Sequence, residues 1–255
     1  GGWQEILPNS PPMDYRGARL GQHGEVSLIP WDYAIVENTP AEVILKLWTR
    51  PLRYPILIEK ILTLRQGSKS LQIDETLTNE SETELHLMWG HHIAFGLPFL
   101  KDGATIETSA TRFVAEKRMP EHRIFKPGLE QDWPMVARPD NEKINAAHIR
   151  KVSDDKFSDL AYLTAFKENA YYKIATDIMS FSIEWDKEIF KSLWYWQERF
   201  ATQDAPWWGK TYAVALEPWT NNWTQKPTAE SMKKNWLKLG PRQRLRTSLK
   251  TNCTH

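Results

Sequence analysis

Apolar and polar residues alternate along much of this chain with the period of β-structure. In Ser70–Asn79, Leu71, Ile73 and Leu77 share one face while Gln72, Asp74, Thr76 and Thr78 share the other, the pattern of an antiparallel strand buried on one side. Glu75 falls on the apolar face, and its expected state is a buried carboxylate paired with an arginine such as Arg53 or Arg65. Glu42–Thr49 and Ile56–Arg65 also have strand composition, and Gln66-Gly67-Ser68-Lys69 supplies the turn between Ile56–Arg65 and Ser70–Asn79. Further strands are predicted at 83–90, Ala104–Thr108, 157–163, 170–176, Ser180–Trp185, 190–200 and 237–250, the last with a Gly240-Pro241 turn. Residues 26–31 have strand composition as well, and residues 1–12 are too rich in proline for a helix and read as a loop. The stretch 101–150 is long for a structureless insertion, which predicts irregular strands and a functional loop. No segment from 42 to 96 has a sustained helical period, so the class is all-β.

One strand stands apart. Tyr212, Val214 and Leu216 alternate with Ala213, Ala215 and Glu217, so the carboxylate points away from the bulky residues and shares its face with methyl groups. Small neighbours leave space above it. Pro218 is expected to stop the ladder one residue later, which sets Glu217 at a strand end beside a cavity.

A length of 255 residues is compatible with a single large β-sandwich or barrel, and one domain over 1–255 is expected. Lys+Arg 33 against Asp+Glu 32 leaves no global field to attract nucleic acid or an anionic membrane. No apolar run is long enough to span a bilayer. The single cysteine, Cys253, has no internal partner, which suits a reducing, cytoplasmic compartment; the chain starts without methionine, so a removed leader is compatible with it. Thirteen tryptophans are an unusual load. Indole faces stack on the C–H faces of sugar rings while the N–H donates, so the excess is compatible with carbohydrate binding as well as with core packing.

The candidate chemistry narrows by residue type. His91 and His92 are adjacent and point to opposite faces of a strand, so they do not share one metal ion from regular β geometry. The sequence has no His-x-x-x-His or Cys-x-x-Cys spacing, no glycine-rich phosphate loop and no Gly-x-Ser-x-Gly elbow. Imidazole plus carboxylate remains. His92 and Glu217 fit as a proton donor and acceptor for a small substrate.

Several segments, in order, carry a resemblance. They are Gly2-Trp3-Gln4-Glu5-Ile6-Leu7-Pro8-Asn9, His23-Gly24-Glu25 with Pro30-Trp31, Trp89-Gly90-His91-His92 through Phe95-Gly96, Pro206-Trp207-Trp208-Gly209, and Ala215-Leu216-Glu217-Pro218-Trp219. Together they resemble the aldose 1-epimerase, or galactose mutarotase-like, superfamily over nearly the whole chain. The resemblance implies a β-supersandwich, a large antiparallel two-sheet fold that binds a sugar. It implies that Glu217 takes the proton of the C1 hydroxyl and His92 protonates the ring oxygen, because His92 and Phe95 take the places of His and Phe in the family's Asn-His-x-Tyr-Phe motif. By the same resemblance His23 helps to hold the sugar, Arg16 or Arg19 stands in for a substrate-binding arginine, and Asp159 for a hydroxyl-binding aspartate. Trp208 and Trp31 are the expected stacking platforms. His91 and Ala94 replace the motif's Asn and Tyr, which alters the pocket wall and with it the substrate. The family's first strands are missing before Gly1, which would leave a sheet edge open to a second copy in a homodimer.

The expected function is that of a sugar 1-epimerase using no cofactor and no metal, because the substrate supplies its own aldehyde. Two other readings remain open at this point. A non-catalytic sugar-binding protein would keep the same pocket, and a hexose 6-phosphate epimerase would need Arg16, Arg19 and Lys210 to converge.

Overall fold

A computed structural model describes residues 2–119, 122–153, 155–224 and 226–254. Two large antiparallel sheets dominate it. The first has seven strands in the order Gly2–Ile6, Gly90–Gly96, Tyr212–Trp219, Ser192–Arg199, Phe157–Phe166, Ala110–Ala115 and Glu130–Asp132. The second has nine, in the order His148–Ile149, Ala104–Thr108, Ala170–Ala175, Ser180–Trp185, Arg244–Thr254, Ser70–Asn79, Ile56–Arg65, Glu42–Thr49 and Asp32–Asn38. The all-β class expected from the alternation and the antiparallel two-sheet fold that the resemblance implies are both observed.

The sheets pack through the apolar face that period two assigns to each. Ile93, Leu216, Leu193 and Leu163 on one side and Ile58, Ile73, Ile174 and Ile183 on the other are buried. Phe95 meets Phe181 across the gap at 5.6 Å between ring centroids. This interior also contains charge. Glu75 is buried as expected, but its partners are Lys60, at 3.2 Å, and the His91 ring, at 3.1 Å, instead of Arg53 or Arg65. Arg53 pairs with Glu25 and Arg65 with Glu42, because Arg53 lies in the loop before Ile56 and Arg65 at the end of its strand, where a long side chain stays wet.

Several boundaries differ from the pattern reading. Residues 2–6 of the proline-rich opening form an edge strand on Gly90–Gly96, with Gln4 opposite His92 and Glu5 opposite His91; Gly1 lies outside the described residues. Residues 26–31 are a turn, and the strand begins at Asp32. The stretch at 83–90 divides into Leu85–Leu87 and a new strand from Gly90. Pro218 does not end the Glu217 strand: it sits opposite Leu193 and the ladder continues to Trp219 opposite Ser192. Within 101–150 short strands do occur, including Met135–Ala137 and Lys143–Asn145. One short helix, Ala229–Asn235, is fixed at its start by a reciprocal capping box between Thr228 and Ser231.

Candidate active site

The register of the seven-stranded sheet builds the site. Ala215 faces Ala94 and Trp219 faces Gly90, and the same register sets Glu217 opposite His92 on the sheet face turned away from the interior. The His92 Nε2 and Glu217 Oε1 atoms are 3.5 Å apart. Consecutive histidines therefore divide between two environments: His91 points inward to Glu75 and His92 outward to Glu217. His23 approaches from the loop side, its ring centroid 5.8 Å from that of His92. It has φ of 65°, and Gly24 after it has the same. A Cβ at Gly24 would fall 2.2 Å from the Leu7 carbonyl oxygen, so only glycine lets the loop lie this close to the opening segment.

Tryptophan supplies the walls. Trp219, two residues after Glu217 on the same face, donates its Nε1–H to Glu217 Oε2 at 2.9 Å. Its indole occupies the space above Gly90, where any Cβ would come within 2.2 Å of the ring. Trp194 stacks on Trp219 at 4.3 Å. On the other side Trp196 lies 6.0 Å from the His92 ring and Trp207 lies 5.2 Å from Trp196. The alanines at 213, 215 and 94 share this face of the sheet with His92 and Glu217.

The electrostatics follow from this enclosure. Burial pushes the Glu217 carboxyl up to about 8, against the opposing pull of the Trp219 hydrogen bond. Burial pulls His92 down to about 4, and burial together with the neighbouring His92 pulls His23 down to about 4. Near neutrality the pair holds one proton, and it rests on the carboxyl group. The base and acid roles expected of Glu217 and His92 call for an ionised carboxylate and a protonated imidazole, and burial disfavours both of those charged forms. Solvent reaches the pair through the imidazole, whose side chain is 18% exposed, whereas that of Glu217 is 3% exposed.

The remaining residues expected in the site lie elsewhere. Asp159 is on the interior face of its strand, opposite Gln197. Its carboxylate is consumed by Arg123 and by the backbone N–H groups of Ile124, Phe125 and Leu160. It fixes a loop rather than facing the pocket. Arg16 is exposed and donates to Thr83 at 2.8 Å, and Arg19 is exposed. Trp31 donates to the Val26 carbonyl at 2.9 Å and sits under the Lys60 ammonium, beside a hollow shared with Trp3. Trp208 is 63% exposed, and its neighbour Trp207 is the one that reaches the wall, because left-handed backbone at Trp208 turns the two indoles apart. Of the residues that the pattern missed, Trp219 shares Glu217's strand parity and was within reach of it. Trp196 and Trp207 arrive through cross-strand register and a loop, which no periodicity reports.

Among the described residues one group of side chains has the makings of a metal site, Glu5, Glu75 and His91. Lys60 lies on both carboxylates, Trp89 donates to Glu5, and Trp3 donates to His91 Nδ1 at 3.1 Å. The ammonium supplies the cation that these carboxylates need.

The antiparallel two-sheet fold is that of galactose mutarotase-like proteins. The solved structures agree on the fold. A candidate aldose 1-epimerase from Klebsiella pneumoniae superposes with a TM-score of 0.68 at 14% identity, over 99% of this chain and 62% of that one. A galactose mutarotase-related enzyme from Lactobacillus acidophilus gives 0.62 at 13% identity, over 99% and 83%. A galactose mutarotase-like protein from Clostridium acetobutylicum gives 0.63 at 14% identity, over 100% and 79%. The chain thus spans less than two thirds of the Klebsiella protein. No curated protein matches the sequence. The family model described as a domain of unknown function, DUF4432, matches residues 7–252, and the chain belongs to that family.

Proposed function

We propose that this protein is an aldose 1-epimerase, interconverting the anomers of a free sugar at His92 and Glu217. The observation that carries the reading is the 3.5 Å approach of the two groups; burial disfavours the charged form of each, which favours one titratable proton on the pair near neutrality. Ring opening removes a proton from the C1 hydroxyl and delivers one to the ring oxygen as the C1–O bond breaks. Both oxygens are bonded to the same carbon, so an adjacent acceptor and donor serve them together. Rotation about C1–C2 and closure on the other face return both protons. The pair ends with the same single proton, and no cofactor enters the balance.

With the proton resting on the carboxyl group, Glu217 acts as the acid and His92 as the base; transfer of the proton to His92 on sugar binding exchanges the roles. His23, neutral at pH 7, offers a hydroxyl partner at the rim. The indoles of Trp196 and Trp207 offer the flat apolar surfaces that sugar C–H faces favour.

Polarimetry on a panel of free and phosphorylated aldoses tests the assignment. Glu217→Gln keeps the shape and removes the titrating group, so kcat falls by about a hundredfold to ten-thousandfold while sugar binding survives. An unchanged rate in that variant, on a sugar the wild type accepts, overturns the assignment.

A further inference from the structure

Behind the candidate site, on the interior face of Ser192–Arg199, lies a cavity of about 500 Å³. Gln197 and Arg199 are on its floor, and Arg138, Arg150 and His148 line it higher up, with Glu142 as its one carboxylate. It is separate from the His92–Glu217 pair. Gln197 and Arg199 alternate with Trp196 and Glu198 along one strand, so they project to the opposite face of the sheet.

The state of the arginines is the informative part. Arg199 is 2% exposed, and among the described residues no carboxylate pairs with it. Its partners are neutral: the carbonyls of Arg150 and Lys151 at 2.8 and 3.5 Å, and the rings of Phe157 and Tyr212 about its guanidinium. Its Nε is buried with no hydrogen-bond partner, and so is the Nε of Arg138 on the same cavity. Arg138 reaches Asp140 and Glu142 only at 3.7 and 3.9 Å. A guanidinium taken out of water without a counter-charge is costly, and burial pulls Arg199 below the ordinary arginine range. Arg138 thus has counter-charges but no hydrogen bond at its Nε, whereas buried Arg199 has no paired carboxylate, so the charge lacking at the floor of this hollow is negative.

We propose that this cavity binds a small molecule through an oxyanion, a phosphate or carboxylate group, held by Arg199 at the floor and Arg138 nearer the rim. The planar guanidinium fork matches both anions, the Gln197 amide adds a donor, and the volume is in the range that holds an organic metabolite rather than a lone ion. The site is independent of the epimerase reading.

The test is thermal unfolding of the full chain with inorganic phosphate, acetate or citrate, each against sodium chloride of equal ionic strength. Phosphate, or else the carboxylates, should raise Tm saturably, and which of them does so identifies the anion. Arg138→Gln should raise the half-saturating concentration about tenfold or more, and Arg199→Met should abolish the effect. Should Arg199→Met fail to fold, Arg138→Gln and Gln197→Leu carry the test. The proposal is overturned if none of the anions raises Tm beyond the chloride control. It is equally overturned if the rise is retained undiminished in both Arg138→Gln and Gln197→Leu.

Discussion

A carboxyl group whose only fixed donor among the described residues is one indole N–H keeps its proton well above the usual carboxylate range, and the consequences for Glu217 can be worked out in sign. Below pH 4.5 the folded and unfolded chains both carry the proton. Between 4.5 and about 8 the unfolded chain releases it while the folded chain does not, so each pH unit removes about 1.4 kcal/mol of stability. Above that the loss is complete. Glu217→Gln escapes this loss: its Tm should match the wild type near pH 4 and exceed it at pH 8, in melts run at both. Activity has a different shape. The reaction needs one proton in the pair, so kcat/KM should fall below about pH 4, when His92 gains a second proton, and above about pH 8, when Glu217 loses the first. A pH–rate profile flat across both limbs contradicts the pairing. Gly90 belongs at this scale too. A methyl group there would meet the Trp219 indole at 2.2 Å, so Gly90→Ala should displace the ring and free Glu217 from its donor. The expected cost is about 1–3 kcal/mol by chemical denaturation, accompanied by a loss of mutarotation.

At the scale of the element, the strand Gly90–Gly96 joins two chemistries through consecutive residues. His92 faces the pocket, whereas His91 is locked inward. Trp3 donates into its Nδ1, so its Nε2 carries the hydrogen and donates to Glu75. Lys60 completes the cluster between the sheets. Burial works against its charge, but Glu5 and Glu75 outweigh burial and hold its pKa above the ordinary lysine value. Lys60→Met should therefore destabilise the protein by about 3–5 kcal/mol in urea melts, because it leaves buried carboxylates without a cation. What was legible in the sequence follows the same division. Strands with clean alternation, such as Ser70–Asn79, could be read directly, and so could the opposite faces of His91 and His92. The edge strand Gly2–Ile6 could not, since its partner lies some 88 residues away and prolines follow it closely. Glu217 and His92 were legible as residue types at strand positions. Their meeting depends on the pairing of Tyr212–Trp219 with Gly90–Gly96, which is a tertiary fact. Asp159 came from the resemblance alone, and the parity it shares with Phe157, Ala161 and Leu163 sends it inward, to hold the Ile124 and Phe125 amides.

At the scale of the whole molecule, the two sheets differ in extent, and the difference is visible along a single row of residues. Ile73, Leu62, Leu45 and Ile35 are successive cross-strand partners on the interior face. Exposure rises along the row from 4% at Ile73 through half-buried Leu62 and Leu45 to 61% at Ile35. Tyr33, Val43 and Leu64 on the same face are 67%, 42% and 48% exposed. The nine-stranded sheet thus extends past its cover, and its last strands present a core-type surface to water. Contiguous apolar surface of this kind binds apolar probes and favours association, and the outermost strand Asp32–Asn38 also offers unpaired backbone groups, relieved only by the irregularity between Ile35 and Glu37. The chain should therefore bind an apolar fluorescent dye in its native state. Ile35→Lys combined with Leu64→Lys should remove most of that signal while leaving Tm within a few degrees, since neither side chain is fully buried to begin with. Dye binding that persists in the double variant would place the exposed apolar surface elsewhere on the molecule.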